Sequence, residues 1–326
     1  MLTPTFYANY SALPTPWCER LALAGFGASM RLAGTRLVVE GLEQVPGRPV
    51  LFATNSTQKH DYMAFRWIAD AAGMPCVTVT KAKNYHDRAM GLLLARLGVV
   101  PLASRGYLLL VDFTAVHRRR PTEAEYRALR DYLDHGTRLP DGDVFAALTR
   151  PRALLGHAAD ADADADREAY RRRIGRVYAA SLGETLRLTR TAVAAGYHVQ
   201  MYPEGTVSPT LGRGRIGAVQ LAWALGLPIV PVGMSGCPDG FAGDSPFLRR
   251  GGSPITIRFG APIALPSAML PPGFRPFDPD HEAAHRDSLT GFTDGTLMPA
   301  IDALLDLPFR HRADAPTGGK GIRAHL

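Results

Sequence analysis

The stretch Met201-Tyr202-Pro203-Glu204-Gly205-Thr206 follows a run from Tyr197 in which apolar and polar residues alternate. Alternation of this kind is typical of a strand, and because proline cannot donate to a strand ladder, the strand is predicted to end at Pro203. In the turn beyond it, Glu204 stands at the strand end, Gly205 permits positive φ or close approach of a ligand, and Thr206 adds a hydroxyl. Such a turn either binds a ligand or caps the next helix, and the hexapeptide alone leaves both open.

Length and composition are those of a globular protein. The 326 residues are 46% hydrophobic and 21% charged, enough for one large α/β domain or two smaller ones. The formal charge of +7, from 37 Lys and Arg against 30 Asp and Glu, favours anionic partners such as phosphates, nucleic acid or an acidic lipid surface. Cys18, Cys76 and Cys237 lie far apart and match no metal-ligand spacing, which indicates a reducing cytoplasm.

No segment reads as a secretory signal or a membrane span. The amino terminus lacks a basic segment followed by an apolar stretch and a cleavage site. The longest uncharged stretch, Ile216 up to Asp239, is divided by Gly226 and two prolines into a helix, Ile216 to Leu225, and a short buried strand, Pro228 to Met234. Helix followed by strand is the alternation of a soluble α/β domain.

The same alternation extends outward from this region in both directions. Further short strands, separated by helical patterns and turn residues, are predicted at Leu37 to Glu40, Val50 to Thr54, Cys76 to Thr80, Val99 to Leu102 and Ile255 to Phe259. The sequence therefore predicts an α/β fold in which a mixed, mostly buried sheet is flanked by helices.

Polar and charged residues follow several of these strands. In open α/β sheets ligands bind at the carboxyl ends of strands, where Ser56, His60 and Asp61 follow the second strand. Lys81 follows the third, and Arg105 follows the fourth, where its guanidinium could bind a phosphate through two hydrogen bonds. His60 and Asp61 are equally compatible with a helix start, since a carboxylate is favoured there by the helix dipole.

A second pair of cations lies after the opening turn. Arg213 and Arg215 flank Gly214 just before the helix at Ile216, and cations beside a helix amino terminus favour an anion pocket.

The amino-terminal part, residues 1–34, is predicted to be an amphipathic helical segment. Between Tyr10 and Ala33 an apolar face is interrupted by a few charged residues. The segment either packs on the domain core or lies on a membrane surface, and it is too short and too rich in glycine to span a bilayer.

The rest of the chain divides into an α/β domain, residues 35–265, and a carboxyl-terminal extension with a flexible tail, residues 266–326. Within the domain, residues 106–190 are predicted to be a helical insertion. It either covers the site, contacts a partner, or lies on the surface with no role in catalysis. Its alternating Asp/Ala tract, Ala158 to Asp166, predicts an exposed loop because a packed core cannot be built from it.

Four blocks in order resemble the lysophosphatidate acyltransferase superfamily, the glycerolipid acyltransferases that move a fatty acyl group to a glycerophospholipid hydroxyl. The third block, with its Tyr-Pro-Glu-Gly-Thr sequence, is the most specific, and the resemblance spans roughly residues 37 to 260. The blocks are Asn55 to Asp61, Gly98 to Arg105, Tyr202 to Ser208 and Leu227 to Val232. The resemblance implies a glycerolipid-acyltransferase-like fold.

The chain departs from the family at two positions. When Asn55 and Asp61 are aligned, Ser56 stands where the family carries the catalytic His that deprotonates the acceptor hydroxyl. An unassisted serine hydroxyl is not basic near neutral pH and cannot take that role. Val207 stands where the family usually has Arg, which removes one phosphate-binding cation.

Three hypotheses for the first block follow. In the favoured one, His60 is the base and Asp61 orients it. In another, acyl transfer has been lost and the pocket is kept for binding. In the third, Ser56 and His60, four residues apart, form a nucleophile and base pair that would give a covalent acyl-enzyme.

The resemblance implies an acyltransferase that uses acyl-CoA or acyl carrier protein as donor and a lysophospholipid-like hydroxyl as acceptor. Arg105 and the Glu204-Gly205-Thr206 turn would hold the acceptor's anionic group, with Lys81 as a second cation. No metal, cofactor or nucleic acid is implied. The expected location is the cytoplasm, peripherally on the inner face of the membrane. The alternative is a catalytically degenerate lipid or acyl-carrier binding protein on the same scaffold.

Overall fold

The computed structural model describes residues 2–137, 142–150, 153–157 and 167–312. Strands within these ranges form one seven-stranded sheet in the order β1-β7-β6-β2-β5-β3-β4. They are β1 (Leu37–Glu40), β2 (Leu51–Thr54), β3 (Cys76–Lys81), β4 (Val99–Leu102), β5 (His198–Met201), β6 (Ile229–Ser235) and β7 (Ile255–Phe259). Neighbouring strands are parallel except β6 and β7, which pair antiparallel, so the predicted mixed sheet is confirmed.

Helices connect and cover the strands. Those in the described ranges are α1 (Pro4–Ala8), α2 (Pro16–Ala33), α3 (Asp61–Ala71), α4 (Arg88–Arg96), α5 (Arg105–His117), α6 (Glu123–His135), α7 (Asp143–Thr149), α8 (Arg167–Ala194), α9 (Gly217–Leu225), α10 (Cys237–Gly240), α11 (Pro279–Ala284), α12 (Arg286–Phe292) and α13 (Met298–Ala303). Short 3-10 turns lie at Leu42–Gln44, Ala82–Tyr85 and Leu307–Phe309, and a π-helical turn lies at Thr293–Leu297.

The central strands are buried on both faces. All residues of β2, β5 and β6 are buried. Successive side chains of a strand point to opposite faces, so Leu51 joins the apolar cluster under α5, α8 and α9, while Phe52 joins the cluster under α2 and α3. The expectation of a mostly buried sheet flanked by helices is therefore confirmed.

Helices α5 to α8 occupy the region predicted to be an insertion. Its last helix, α8, packs against β4, β5 and α9, and contributes Leu188 and Ala192 to the buried core. Arg173 of the same helix is buried and donates to the backbone oxygen of Leu148 at 2.7 Å, which fixes α7 against α8. Residues 167–194 thus form part of the helical layer on the sheet. The Asp/Ala tract at 158–166 and the tail from residue 313 lie outside the described residues.

The amino-terminal helix α2 has one packed face and one exposed apolar face. Leu23 and Phe26 are buried against the cluster that contains α3, and Glu19 forms an ion pair with the buried Arg66. On the other side Trp17 is 64% exposed and Leu21 is 68% exposed. The helix thus packs on the core with one face and presents apolar side chains to solvent on the other.

Within the described ranges, no helix combines the length and the apolar character that crossing a membrane requires. Cys18, Cys76 and Cys237 are all buried and free.

Candidate functional site

The carboxyl ends of four parallel strands meet at one edge of the sheet. Strand β2 pairs with β5, β5 pairs with β3, and β3 pairs with β4. The loop after β2 therefore lies beside the turn after β5, with Lys81 at the end of β3 and Arg105 beyond β4. Of the predicted site residues, this arrangement brings Ser56 and Asp61 into direct contact with the turn around Glu204.

Asp61 is the first residue of α3, and its carboxylate points into the protein. The residue is 2% exposed, and Oδ2 accepts hydrogen bonds from the backbone N–H groups of Thr57 and Gln58 at 3.1 and 3.3 Å. Oδ1 accepts a hydrogen bond from the Tyr202 hydroxyl at 3.0 Å. Burial raises the pKa of Asp61 to about 6, while the hydrogen bonds from Tyr202, the loop amides and the Ser56 hydroxyl act in the opposite direction. Asp61 thus holds the loop after β2 in shape and ties it to the end of β5.

Glu204 makes the second tie between the two loops. Its carboxylate accepts from the Ser56 backbone N–H at 3.1 Å and from the Gly212 N–H at 2.7 Å, and the residue is only 3% exposed. In return, the Ser208 N–H donates to the Ser56 carbonyl at 2.9 Å. Burial raises the pKa of Glu204 to about 7; the two N–H donors lower it, and the charge of Asp61 raises it further.

Asn55 anchors the start of the same loop to β6. Its amide nitrogen donates to the Met234 carbonyl at 3.0 Å, and its amide oxygen accepts from the Met234 N–H at 2.7 Å. The side chain is fully buried, so both of its polar groups need these partners. From the sequence, Asn55 serves only to align the first block, although a polar residue directly after a buried strand is a signal for such an anchor.

His60 precedes α3, and its imidazole has a different hydrogen-bond partner from Asp61. Its Nε2 lies 3.0 Å from the Asp244 backbone oxygen, while Nδ1 is buried and has no hydrogen-bond partner among the described residues. Because a carbonyl only accepts, Nε2 carries the proton in this contact, and Nδ1 of the neutral ring holds a lone pair. Burial lowers the pKa of His60, which keeps the ring neutral at neutral pH. Asp61 is not a hydrogen-bond partner of this imidazole, so the structure does not bring the predicted His60 and Asp61 pair together.

Lys81 and Arg105 lie at the same edge but in different surroundings. Burial lowers the pKa of Lys81 to about 8, and the nearby charges of Lys83 and Arg215 act in the same direction. Arg105 lies 3.5 Å from the Asp134 carboxylate and places its guanidinium over the Tyr178 ring, 5.1 Å from the centroid. Two like charges thus lower the pKa of Lys81, whereas Arg105 forms an ion pair with an acid.

The two arginines before α9 have different environments. Arg213 is 67% exposed and pairs with Asp294 at 3.2 Å. Arg215 instead contacts the turn: its backbone N–H donates to the Pro203 carbonyl at 2.9 Å, and its Nε donates to the Glu204 carbonyl at 3.2 Å. The sequence does not distinguish the two arginines, since both flank the same glycine.

The backbone of the turn has the positive φ that the sequence predicts at Gly205. Gly205 has φ of +60°, and a Cβ at this position would lie 3.3 Å from Cδ of Arg215. Thr206 is half-buried beside it, and Val207 is 51% exposed. The absence of a side chain at Gly205 therefore lets Arg215 lie directly over the turn.

Comparisons with known proteins add little to this geometry. No protein-family model matches the chain, and no curated protein matches it. Among solved structures, the chain is similar to the crystal structure of the 1-acyl-sn-glycerophosphate (LPA) acyltransferase PlsC from Thermotoga maritima, with 14% identity and a TM-score of 0.44. That match covers 89% of this chain and 79% of the other. A likeness this weak says nothing of activity, which must follow from the residues of the site.

Proposed function

We propose that the chain is a glycerolipid-type acyltransferase, which moves a fatty acyl group from an acyl thioester to a hydroxyl of a lysophospholipid or related lipid. The observation that supports this most directly is the pair of ties, Asp61 to Tyr202 and Glu204 to Ser56, between the first and third sequence blocks. These ties make one polar site at the carboxyl edge of the sheet, with the cations Lys81 and Arg215 beside it.

In the proposed reaction, His60 is the general base. Nδ1 takes the proton from the acceptor hydroxyl as its oxygen attacks the thioester carbonyl; the new C–O bond forms, the C–S bond breaks, and the proton passes to the leaving thiolate. The Asp244 carbonyl, which accepts from Nε2, fixes the required tautomer. In this mechanism Asp61 shapes the loop that carries His60 and does not orient the ring.

The donor is proposed to be acyl-CoA or acyl carrier protein, and the acceptor a lipid presented at a membrane surface. Exposed apolar side chains on two neighbouring helices support a peripheral membrane contact. The two helices are neighbours because the backbone N–H of Thr15, just before α2, donates to the Arg96 carbonyl at the end of α4 at 2.7 Å. The exposed side chains are Trp17 and Leu21 on α2, and Met90, Leu92 and Leu93 on α4. A net charge of +7 favours the acidic inner face of a membrane.

A catalytically degenerate lipid-binding or acyl-carrier-binding protein is the second candidate. It is favoured by the surroundings of Asp61: among the described residues, its carboxylate contacts Ser56 and Tyr202 and no imidazole. On this alternative the site binds the lipid acceptor or the acyl carrier, and no thiol is released.

The two candidates differ in turnover. Purified protein is incubated with lysophosphatidate and several acyl thioesters, and free thiol and product mass are followed. Acceptor-dependent thiol release that His60→Ala abolishes and the exposed control His86→Ala retains supports the enzyme. Ligand retention without thiol release supports the binding protein. Detection of an acyl adduct on Ser56 would instead indicate a covalent acyl-enzyme mechanism in place of direct transfer.

A further inference from the structure

A loop that follows α10 lies against the loop after β2. It comprises residues 241–248 and is closed at its base by an antiparallel bridge between the buried residues Phe241 and Leu248. Gly243, near its tip, has φ of +59°, a conformation that glycine adopts without steric cost. Two consecutive carbonyls of this 241–248 loop, those of Gly243 and Asp244, accept hydrogen bonds from the loop after β2.

The first of these two hydrogen bonds comes from the side chain of Gln58. Its Nε2 donates to the Gly243 carbonyl at 2.8 Å, and its Oε1 accepts from the backbone N–H of His60. The backbone N–H of Gln58 also donates to Oδ2 of Asp61 at 3.3 Å, and the residue is only 7% exposed. The buried amide therefore has a partner at each end, and these partners define its orientation.

The second hydrogen bond comes from the ring of His60. Nε2 donates at 3.0 Å to the carbonyl of Asp244, one residue beyond the carbonyl that Gln58 holds. Asp244 itself is exposed, so one hydrogen bond to its backbone would be a weak restraint on an imidazole. The neighbouring contact of Gln58 keeps this part of the loop in place against the ring.

The 241–248 loop is also attached to helix α2 at its base. The backbone N–H of Leu248 donates to the Ser29 hydroxyl at 2.9 Å, and the rings of Phe26 and Phe241 lie 6.2 Å apart between their centroids. The loop is thus held by α2 at one end and by Gln58 at the other.

We propose that Gln58 is a positioning residue for His60. By holding the Gly243 carbonyl, it fixes the Asp244 carbonyl that accepts from Nε2, and so directs Nδ1 of the ring toward the acceptor hydroxyl. The action of Nδ1 on that hydroxyl rests on the proposed function, whereas the position of the ring rests only on the contacts between the two loops. Gln58 acts through His60 and not on the reacting atoms.

The ring proton of His60 provides a test that needs no turnover. In protein with ¹⁵N-labelled histidine, NMR detects the Hε2 proton only while its hydrogen bond protects it from exchange with water, and its absence in His60→Ala assigns the signal. Gln58→Met keeps the length of the side chain, removes both polar groups, and is expected to accelerate exchange by about fivefold or more. The charges of Lys59 and Asp244, which act on this ring, are unchanged in every variant except His60→Ala.

Gln44→Met is the matched control for Gln58→Met. The amide of Gln44 likewise donates to a backbone carbonyl, that of Phe259 at the end of β7, so its removal is expected to change the exchange rate of the His60 ring proton by less than about twofold.

A second variant reaches His60 from the other end of the loop and guards against a fold defect in Gln58→Met. Ser29→Ala removes the acceptor of the Leu248 N–H and leaves Gln58 unchanged, and it is expected to accelerate exchange of the same ring proton by about twofold or more. Ser11→Ala, at an exposed position before α2, is its control and is expected to leave the rate unchanged.

Kinetics test whether the position of the ring matters for the proposed reaction. With an acyl thioester and lysophosphatidate, Gln58→Met is expected to lower kcat by about fivefold or more and to change the KM for lysophosphatidate by less than about twofold, because Gln58 positions the base and does not bind the acceptor. Gln44→Met is expected to change neither constant.

The outcomes separate the positioning role from the enzyme. If Gln58→Met exchanges like Gln44→Met, if Ser29→Ala matches Ser11→Ala, or if the wild type shows no protected ring proton, the inference is wrong. Accelerated exchange in Gln58→Met with an unchanged kcat would equally contradict it. Protection of the His60 ring proton that depends on Gln58 and Ser29 in a protein without acyl transfer would retain the positioning of the ring and refute only the proposed function.

Discussion

The carboxylate of Glu204 connects the backbones of Ser56 and Gly212. One oxygen accepts from the Ser56 N–H at 3.1 Å, and the other accepts from the Gly212 N–H at 2.7 Å. Each oxygen faces a donor, so the contact requires an acceptor at both positions. The loop after β2 and the turn after β5 are thereby fixed to each other on either side of the site.

Glu204→Gln is expected to destabilise the protein although its shape is conserved. Either orientation of the amide places an NH₂ donor against a backbone N–H and leaves a buried group unpaired, which costs about 1–3 kcal/mol. Urea denaturation measures the loss. Glu184→Gln, which removes a surface partner of Arg187, is the control and is expected to change the free energy of unfolding by about 0.5 kcal/mol or less. Equal effects of the two substitutions would contradict the proposed role of Glu204.

The raised pKa of Asp61 predicts a stability difference that depends on pH. Its pKa is about 6 in the folded protein against a usual value of 3.8, so between these values the folded state binds more protons than the unfolded state. The stability contributed by this group therefore falls as pH rises through that window, by about 3 kcal/mol in total. Asp61→Asn removes the titrating carboxyl group. The amide of the asparagine can still form a hydrogen bond with the Tyr202 hydroxyl.

Urea unfolding of wild type and Asp61→Asn across this pH range measures the effect. The stability of wild type relative to the variant is expected to decrease as pH rises toward about 6 and to level off above it. Asp70→Asn, exposed on the same helix, is expected to show a difference from wild type that does not vary with pH. A constant difference for Asp61→Asn would show that the carboxylate is not desolvated.

The lowered pKa of His60 predicts how turnover depends on pH. Because burial lowers its pKa below 6.5, the neutral ring required of a base is already present at mildly acidic pH. The kcat/KM for lysophosphatidate is expected to rise with pH with a midpoint below that value and to be constant near neutral pH. Rates measured with a saturating acyl thioester give the profile. A midpoint well above 6.5, or a normal rate in His60→Ala, would exclude His60 as the base.

Strand positions were predictable because alternation and turn residues mark them locally. Strand β1 and strand β4 lie where the sequence placed them, and β7 has the expected limits at Ile255 and Phe259. The helical insertion predicted at 106–190 includes α5, but the limits of this helix were not predicted. Its apolar residues, such as Leu108 and Leu109, are consecutive because the helix is largely enclosed, and such a run gives no helical period.

The site was predictable in its location and not in its contacts. Strand ends and the four blocks predicted Ser56, Asp61 and Glu204 at one edge of the sheet, where the loops that carry them are in contact. The direction of the His60 ring depends on the Asp244 carbonyl, 184 residues away, and no local pattern encodes it. The offset of the Arg105 charge likewise depends on Asp134, which lies on a helix that sequence reasoning treated as part of an insertion.

The exposed apolar face of α2 predicts binding to lipid vesicles. Transfer of one leucine side chain from water to a lipid interface contributes about 1.5–3 kcal/mol, so Leu21→Asp is expected to lower vesicle affinity by about tenfold or more. Co-sedimentation with vesicles containing an anionic phospholipid measures this. Leu307→Asp changes a residue that is 77% exposed outside these helices and serves as the control. If both substitutions leave vesicle binding unchanged, the membrane contact lies elsewhere.

From the lowered pKa of Lys81, we expect phosphate binding to weaken at alkaline pH. Its pKa is lowered to about 8 by burial, with Lys83 and Arg215 adding to the shift, so the ammonium is charged below this pH and neutral above it. A phosphate monoester is already a dianion there, since its second pKa is about 6. Affinity for sn-glycerol 3-phosphate is therefore expected to fall with a midpoint at or above about 8, because a bound anion stabilises the charged lysine. Calorimetry on Lys81→Arg, whose guanidinium stays charged, should show no such fall, whereas Lys83→Arg should retain it. A wild-type affinity that stays constant into the alkaline range would show that Lys81 does not bind the anionic group.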